Sequence, residues 1–189
     1  MVDIETLGTG VDSTIIQISA IAFDIETGKE LSVFNQIADI SKNENMKVDG
    51  STIKWWLNTD KELLHTLLNS GDLSSDDVLE LFHKWLKGHA LDMKFVYLWG
   101  NGILFDNKMI EHQMKNIGLD YPIFYRNDRD VRTIVDLTCA RRGITEQKLK
   151  DSFKDYTLVA HNALDDVRFQ IRLVTSCYHE LVRESNLPF

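Results

Sequence analysis

The spacing of apolar residues changes period once along this chain, near residue 50, and that change limits the possible folds more than any other feature. Ahead of it, "MVDIETLG" alternates Val2 and Ile4 with Asp3 and Glu5, the period of a strand whose two faces meet different surroundings. A glycine-containing turn, "GTGVDST", leads to "IIQISAIAFD", rich in β-branched residues, and after the turn "IETGKE" the stretch "LSVFNQIA" reads as a third strand. Residues 1 to 38 are therefore expected to form an antiparallel meander. From Ser51 the period becomes helical. "STIKWWLNTDKELLHTLL" sets Ile53, Trp56, Leu57, Leu63, Leu64 and Leu67 at helix spacing behind a Ser51 or Thr52 cap, and "SSDDVLELFHKWLKG" repeats the pattern up to Gly88. Two helices are expected there.

The rest of the chain alternates. "KFVYLWGNG" reads as a buried strand emerging into a loop, "FDNKMIEHQMKNIG" as an amphipathic helix stopped by Gly118, and "VRTIVDLTCA" fits a strand as well as a helix. "LDDVRFQIRLVTSCYHELVRE" places Val167, Ile171, Val174 and Tyr178 on one stripe of a long helix. Strands first, then alternating helix and strand, predict an α/β layer fold with a mixed sheet. At 189 residues the chain suits one domain with a real core, residues 1–189, and not two.

Charge and cysteine content narrow the function classes. Twenty-nine acidic against 21 basic residues leave a formal charge of −8, so no broad basic surface wraps a long duplex. An enzyme gripping a short nucleic-acid end remains compatible, because bound divalent metals invert the field of an acidic pocket. Cys139 and Cys177 form no CxxC pair, which points to neither a disulfide scaffold nor a zinc site. No apolar run approaches the roughly 18 to 20 residues that span a bilayer, and no basic-then-apolar signal opens the sequence. A cytoplasmic protein without membrane contact is expected.

Three carboxylate segments carry the chemistry. In "DIE", Asp3 and Glu5 point the same way on an apolar strand, with Cβ atoms roughly 7 Å apart; they either face solvent at a strand edge or share a metal, since burying the pair uncompensated is costly. In "WGNGILFDNKMIE", Asp106 stands at a strand-to-helix junction, where ligands gather in open α/β sheets and where Asp also serves as a plain N-cap. In "AHNALDDVRF", His161 precedes Asp165 and Asp166, with Asn162 as a possible cap. Each segment alone admits the bland reading. Together they supply the parts of two-metal phosphodiester hydrolysis.

"DIET" followed by a second strand, "FD" in a "WGNG" context and "H-x-x-x-x-D" near the C-terminus, in that order from Asp3 to about Arg172, resemble the DEDDh family of 3′–5′ exonucleases. "STIKWW" and "RDVRTI" look closest to the phage DexA-type exonucleases and the related bacterial exoribonuclease branch, with RNase T and oligoribonuclease more distant. The resemblance implies an RNase H-like fold: a mixed five-stranded sheet, antiparallel meander then parallel strands, flanked by helices. It further implies that Asp3, Glu5, Asp106 and Asp166 ligate two Mg²⁺ or Mn²⁺ ions, that His161 is the general base, and that nucleoside 5′-monophosphates leave from the 3′ end of single-stranded DNA or RNA. Hard oxygen donors suit Mg²⁺, and a histidine titrates near neutral pH. Thr6, Leu7 and Phe105 are implied to contact the terminal nucleotide, Leu7 as a wedge. Trp56, or its neighbour Trp55, would offer a stacking face; adjacent tryptophans cannot both face one side of a helix. Arg129 and Arg132 are candidates for phosphate contact or for internal ion pairs. Relatives often form homodimers and carry a few apolar residues ahead of the first aspartate, so strand one is expected to be short. A non-catalytic nucleic-acid-binding module and an RNase H-like endonuclease are the competing classes. DNA and RNA stay open, because discrimination rests on contacts to a 2′-hydroxyl.

Overall fold

A computed structural model describes residues 1–89 and 92–182, and the change of period near residue 50 is where sheet gives way to helices. Strands β1 (Val2–Thr6), β2 (Ile15–Phe23) and β3 (Glu30–Ile37) form an antiparallel sheet in the order β1-β2-β3. Asp3 lies opposite Ser19, Glu5 opposite Gln17, and Ser19 opposite Asn35. Because side chains alternate along a strand, these five polar residues share one sheet face while Val2, Ile4, Ile18, Ala20 and Phe34 occupy the other.

Helices cover both faces. On the apolar face, α3 (Ser75–Gly88) and α4 (Asp106–Asn116) add Val78, Phe82, Met109 and Ile110 to one core. Against the other face, α5 (Val131–Arg142) and α7 (Ala163–Val182) pack Val131, Val135, Val167, Ile171 and Val174 around Ile21. A third core under α1 (Gly50–Thr59) and α2 (Lys61–Ser70) gathers Leu7, Ile16, Trp56, Leu64 and Leu67. The short α6 (Glu146–Asp151) sends Leu149 into the α5 and α7 core.

Two expectations are corrected and one open alternative is resolved. Instead of two helices after the meander there are three, because Asp60 leaves helical geometry (φ −153°, ψ 84°) and its carboxylate accepts from the Leu63 N–H at 2.8 Å, ending α1 and capping α2. "VRTIVDLTCA" is helix, started by the Asp130 carboxylate on the Thr133 N–H at 3.1 Å and stopped by Gly143 at φ 62°. The mixed sheet is not continuous over five strands. β4 (Leu98–Gly100) pairs in parallel with β5 (Asp128–Asp130) and lies beside β1, yet the ladders give a three-stranded and a two-stranded sheet. A three-residue β4 offers little edge to close the gap. Among the described residues no helix is long and apolar enough to cross a membrane.

Candidate active site

The sheet face toward α7 begins apolar at Ile21 and turns polar over Ser19, Gln17, Asp3, Glu5 and Asn35. Ser19, Gln17 and Glu5 are buried, and burying such groups is tolerated only when they are hydrogen-bonded or bind something. Asn35 Oδ1 accepts from Gln17 Nε2 at 3.0 Å and from the Ser19 hydroxyl at 2.8 Å, and Gln17 Oε1 accepts from the Ala163 N–H at 3.4 Å. Gln17 thereby ties β2 to the start of α7. That helix is capped by Asn162, whose Oδ1 accepts from Leu164 and Asp165 N–H groups at 3.2 and 3.4 Å.

One turn in, the two aspartates separate. Asp166 joins Asp3 and Glu5, each offering a carboxylate oxygen within 4.8 Å of the others, and its Oδ2 accepts from the His161 N–H at 3.0 Å. Asp165 turns elsewhere, accepting from the Val159 N–H at 3.0 Å. From the next turn, on the face of Asp166, Gln170 Nε2 donates to Asp3 Oδ1 at 2.9 Å. His161 has φ 64°, a left-handed conformation that non-glycine residues adopt at a cost and that clusters at functional sites. Asp106 is buried at the first position of α4, outside the group of three. It is not the N-cap; that position is Phe105, which supplies no side-chain cap bond.

Like charges in a low-dielectric setting resist ionisation. Burial, then the charges of Asp106 and Asp166, raises the Asp3 carboxyl well above its usual range against the opposing Gln170 bond. Glu5 is pushed to about 10 by burial and then by Asp3, Asp166 and Asp106. Burial lifts Asp106 to about 7, offset by the Ile4 N–H and Arg132, and raises Asp166, offset by the His161 N–H and ring. The set must hold protons or a cation. Oxygen-only donors converging from β1 and α7 fit a hard divalent ion.

Beside the carboxylates opens a cleft of about 440 Å³ lined by Glu5, Thr6, Thr52, Trp55, Trp56 and Phe105. The two tryptophans divide their work. Trp56 is 1% exposed and its Nε1 donates to the Thr6 carbonyl at 3.0 Å, whereas Trp55 is 44% exposed and meets the His161 ring edge-on at 4.9 Å between centroids. Of the two rings, Trp55 presents an exposed face to the cleft and Trp56 does not. Leu7, expected as a wedge, is 2% exposed and packs with Trp56 beneath the cleft. Arg129 is engaged internally, over the Tyr97 ring at 4.5 Å and on the Arg126 carbonyl at 2.7 Å. Gln17 and Gln170 escaped the sequence reading; the signal for Gln170 was its place four residues after Asp166, while nothing local marked Gln17.

The family model of the 3′–5′ exoribonuclease Rv2179c-like domain matches residues 1–178. An exodeoxyribonuclease of Enterobacteria phage T4 is 26% identical over 192 residues, covering 88% of this chain and 82% of that protein. Among solved structures, cell-death related nuclease 4 superposes at a TM-score of 0.65 and 18% identity over 94% of this chain, which spans 63% of that longer one. The nuclease domain of 3′hExo, a DEDDh family member bound to rAMP, gives 0.59 and 19% over 88% of this chain and 82% of its own. At these identities the two structures establish a shared fold.

Proposed function

Since the chain belongs to the 3′–5′ exoribonuclease Rv2179c-like family, we propose that Asp3, Glu5, Asp106 and Asp166 are the metal ligands, and His161 the general base, with which it removes nucleotides from single-stranded 3′ ends. The protein is a metal-dependent 3′–5′ exonuclease. The convergence of Asp3, Glu5 and Asp166 from β1 and α7 onto one point carries the assignment. Two Mg²⁺ or Mn²⁺ ions held there would polarise the scissile phosphate and steady the attacking and leaving oxygens. His161 takes the proton of the attacking water; its backbone N–H on Asp166 and its ring against Trp55 hold it at the mouth of the site. Thr6 and Phe105 line the cleft that receives the terminal nucleotide, over a floor carried by Leu7 and Trp56. The acidic chain grips an end and leaves the duplex alone.

RNA is the first substrate reading, supported by the description of the family; DNA is the second, supported by the phage relative. The experiment uses 5′-labelled single-stranded RNA and DNA of matched sequence with Mg²⁺ or Mn²⁺. A ladder shrinking from the 3′ end with 5′-mononucleotide products is expected. Internal fragments, or no cleavage with either metal, would overturn the reading.

The tryptophans give a paired prediction. Trp56→Ala should lower stability by about 3 to 5 kcal/mol, as large-to-small core changes do. Trp55→Ala should leave Tm nearly unchanged and raise KM about tenfold, since stacking one base is worth roughly 1 to 3 kcal/mol. Thermal melts and steady-state kinetics on the same preparations decide; equal loss of Tm in both would remove Trp55 from the substrate face.

A further inference from the structure

We propose that Arg132 binds a phosphate of the substrate strand, the one next to the scissile phosphodiester on its 5′ side. The proposal rests on the exonuclease reading above. Arg132 is the second residue of α5, and the cap of that helix fixes it to the site: the Asp130 carboxylate accepts from the Thr133 N–H at 3.1 Å and from the Ile103 N–H at 3.4 Å, joining α5 to the loop ahead of Asp106. The guanidinium lies on that loop over Gly102, its Cζ 3.3 Å from where a β-carbon would stand. Gly102 has φ 126°, and only a glycine permits both the backbone angle and the close approach.

Arg168 is occupied by Glu30 at 3.1 Å and Arg172 by Asp155 at 2.6 Å. Arg132 is exposed and, among the described residues, has no carboxylate within ion-pair distance, although the net charge of the chain is −8. Its charge still reaches Asp106. Phe105 lines the terminal-nucleotide cleft whereas Gly102 and Arg132 do not, so the cation stands beside the site but outside the place of the last nucleotide. The next phosphate along the strand is the anion such a position meets, and a planar fork of N–H donors matches its oxygens.

The test compares two oligonucleotides, one natural and one with a neutral methylphosphonate at the second linkage from the 3′ end, in release of the terminal nucleotide. Neutralising that linkage should lower wild-type kcat/KM about tenfold, the scale of one charged hydrogen bond. Arg132→Ala and Arg132→Gln should lose a similar factor on the natural strand and nothing further on the neutral one. Losses that multiply, or variants as fast as wild type on the natural strand, overturn the proposal. A wild type that cleaves neither strand overturns instead the exonuclease reading beneath it.

Discussion

Asp166→Ala is expected to abolish metal-dependent nucleotide release, a loss larger than the roughly 10²- to 10⁴-fold that removing a general base costs, while Asp165→Ala retains most of the activity. The asymmetry follows from where the two side chains go. Asp166 completes the group with Asp3 and Glu5 and also accepts the His161 N–H at 3.0 Å, so its loss removes a proposed metal ligand and loosens the proposed base together. Asp165 accepts the Val159 N–H and reaches Arg168 at 3.9 Å; losing a first-turn contact of this kind costs about 1 kcal/mol of stability. Initial rates of mononucleotide release, with a melt for each variant, separate the two. An inactive Asp165→Ala beside an active Asp166→Ala would place the ligand one residue earlier, about 100° around the helix.

The carboxylates proposed as ligands were legible as a group because they sit in regular elements with a readable phase. Period 2 put Asp3 and Glu5 on one side of β1, and the five-residue spacing from His161 singled out Asp166. Features set by contacts between distant segments were not. β5 is the polar tripeptide Asp128–Asp130, which has no apolar alternation to mark it, and the break at Asp60 turns on one cap bond inside an otherwise continuous helical pattern. The choice between Trp55 and Trp56 depended on where α1 meets the Thr6 carbonyl, fifty residues away in sequence. Gln17 looked like an ordinary strand residue until its partner at Ala163 was known.

Replacing Glu5 by Gln should make the metal-free protein more stable at neutral and alkaline pH, although it removes a proposed ligand. Burial and three neighbouring carboxylates raise Glu5 from an ordinary 4.5 to about 10, so the folded chain holds a proton there that the unfolded chain releases. Where the native state binds more protons, stability falls as pH rises. The contribution is whole below about 4.5 and is lost progressively as pH climbs toward 10. Between pH 5.5 and 8.5 the metal-free wild type should therefore lose stability on the order of 2 to 4 kcal/mol relative to Glu5→Gln, several degrees in Tm. Asp106, lifted to about 7, adds a smaller fall within the same window, common to both proteins. Adding Mg²⁺ or Mn²⁺ should restore the wild type by binding only its folded form and do much less for Glu5→Gln. Melts in a chelator across that pH range, repeated with metal, carry the test. A wild type whose Tm rises with pH relative to the variant would mean that the carboxylates are not held together against their own repulsion, and the strain that a metal ion is there to relieve would not exist.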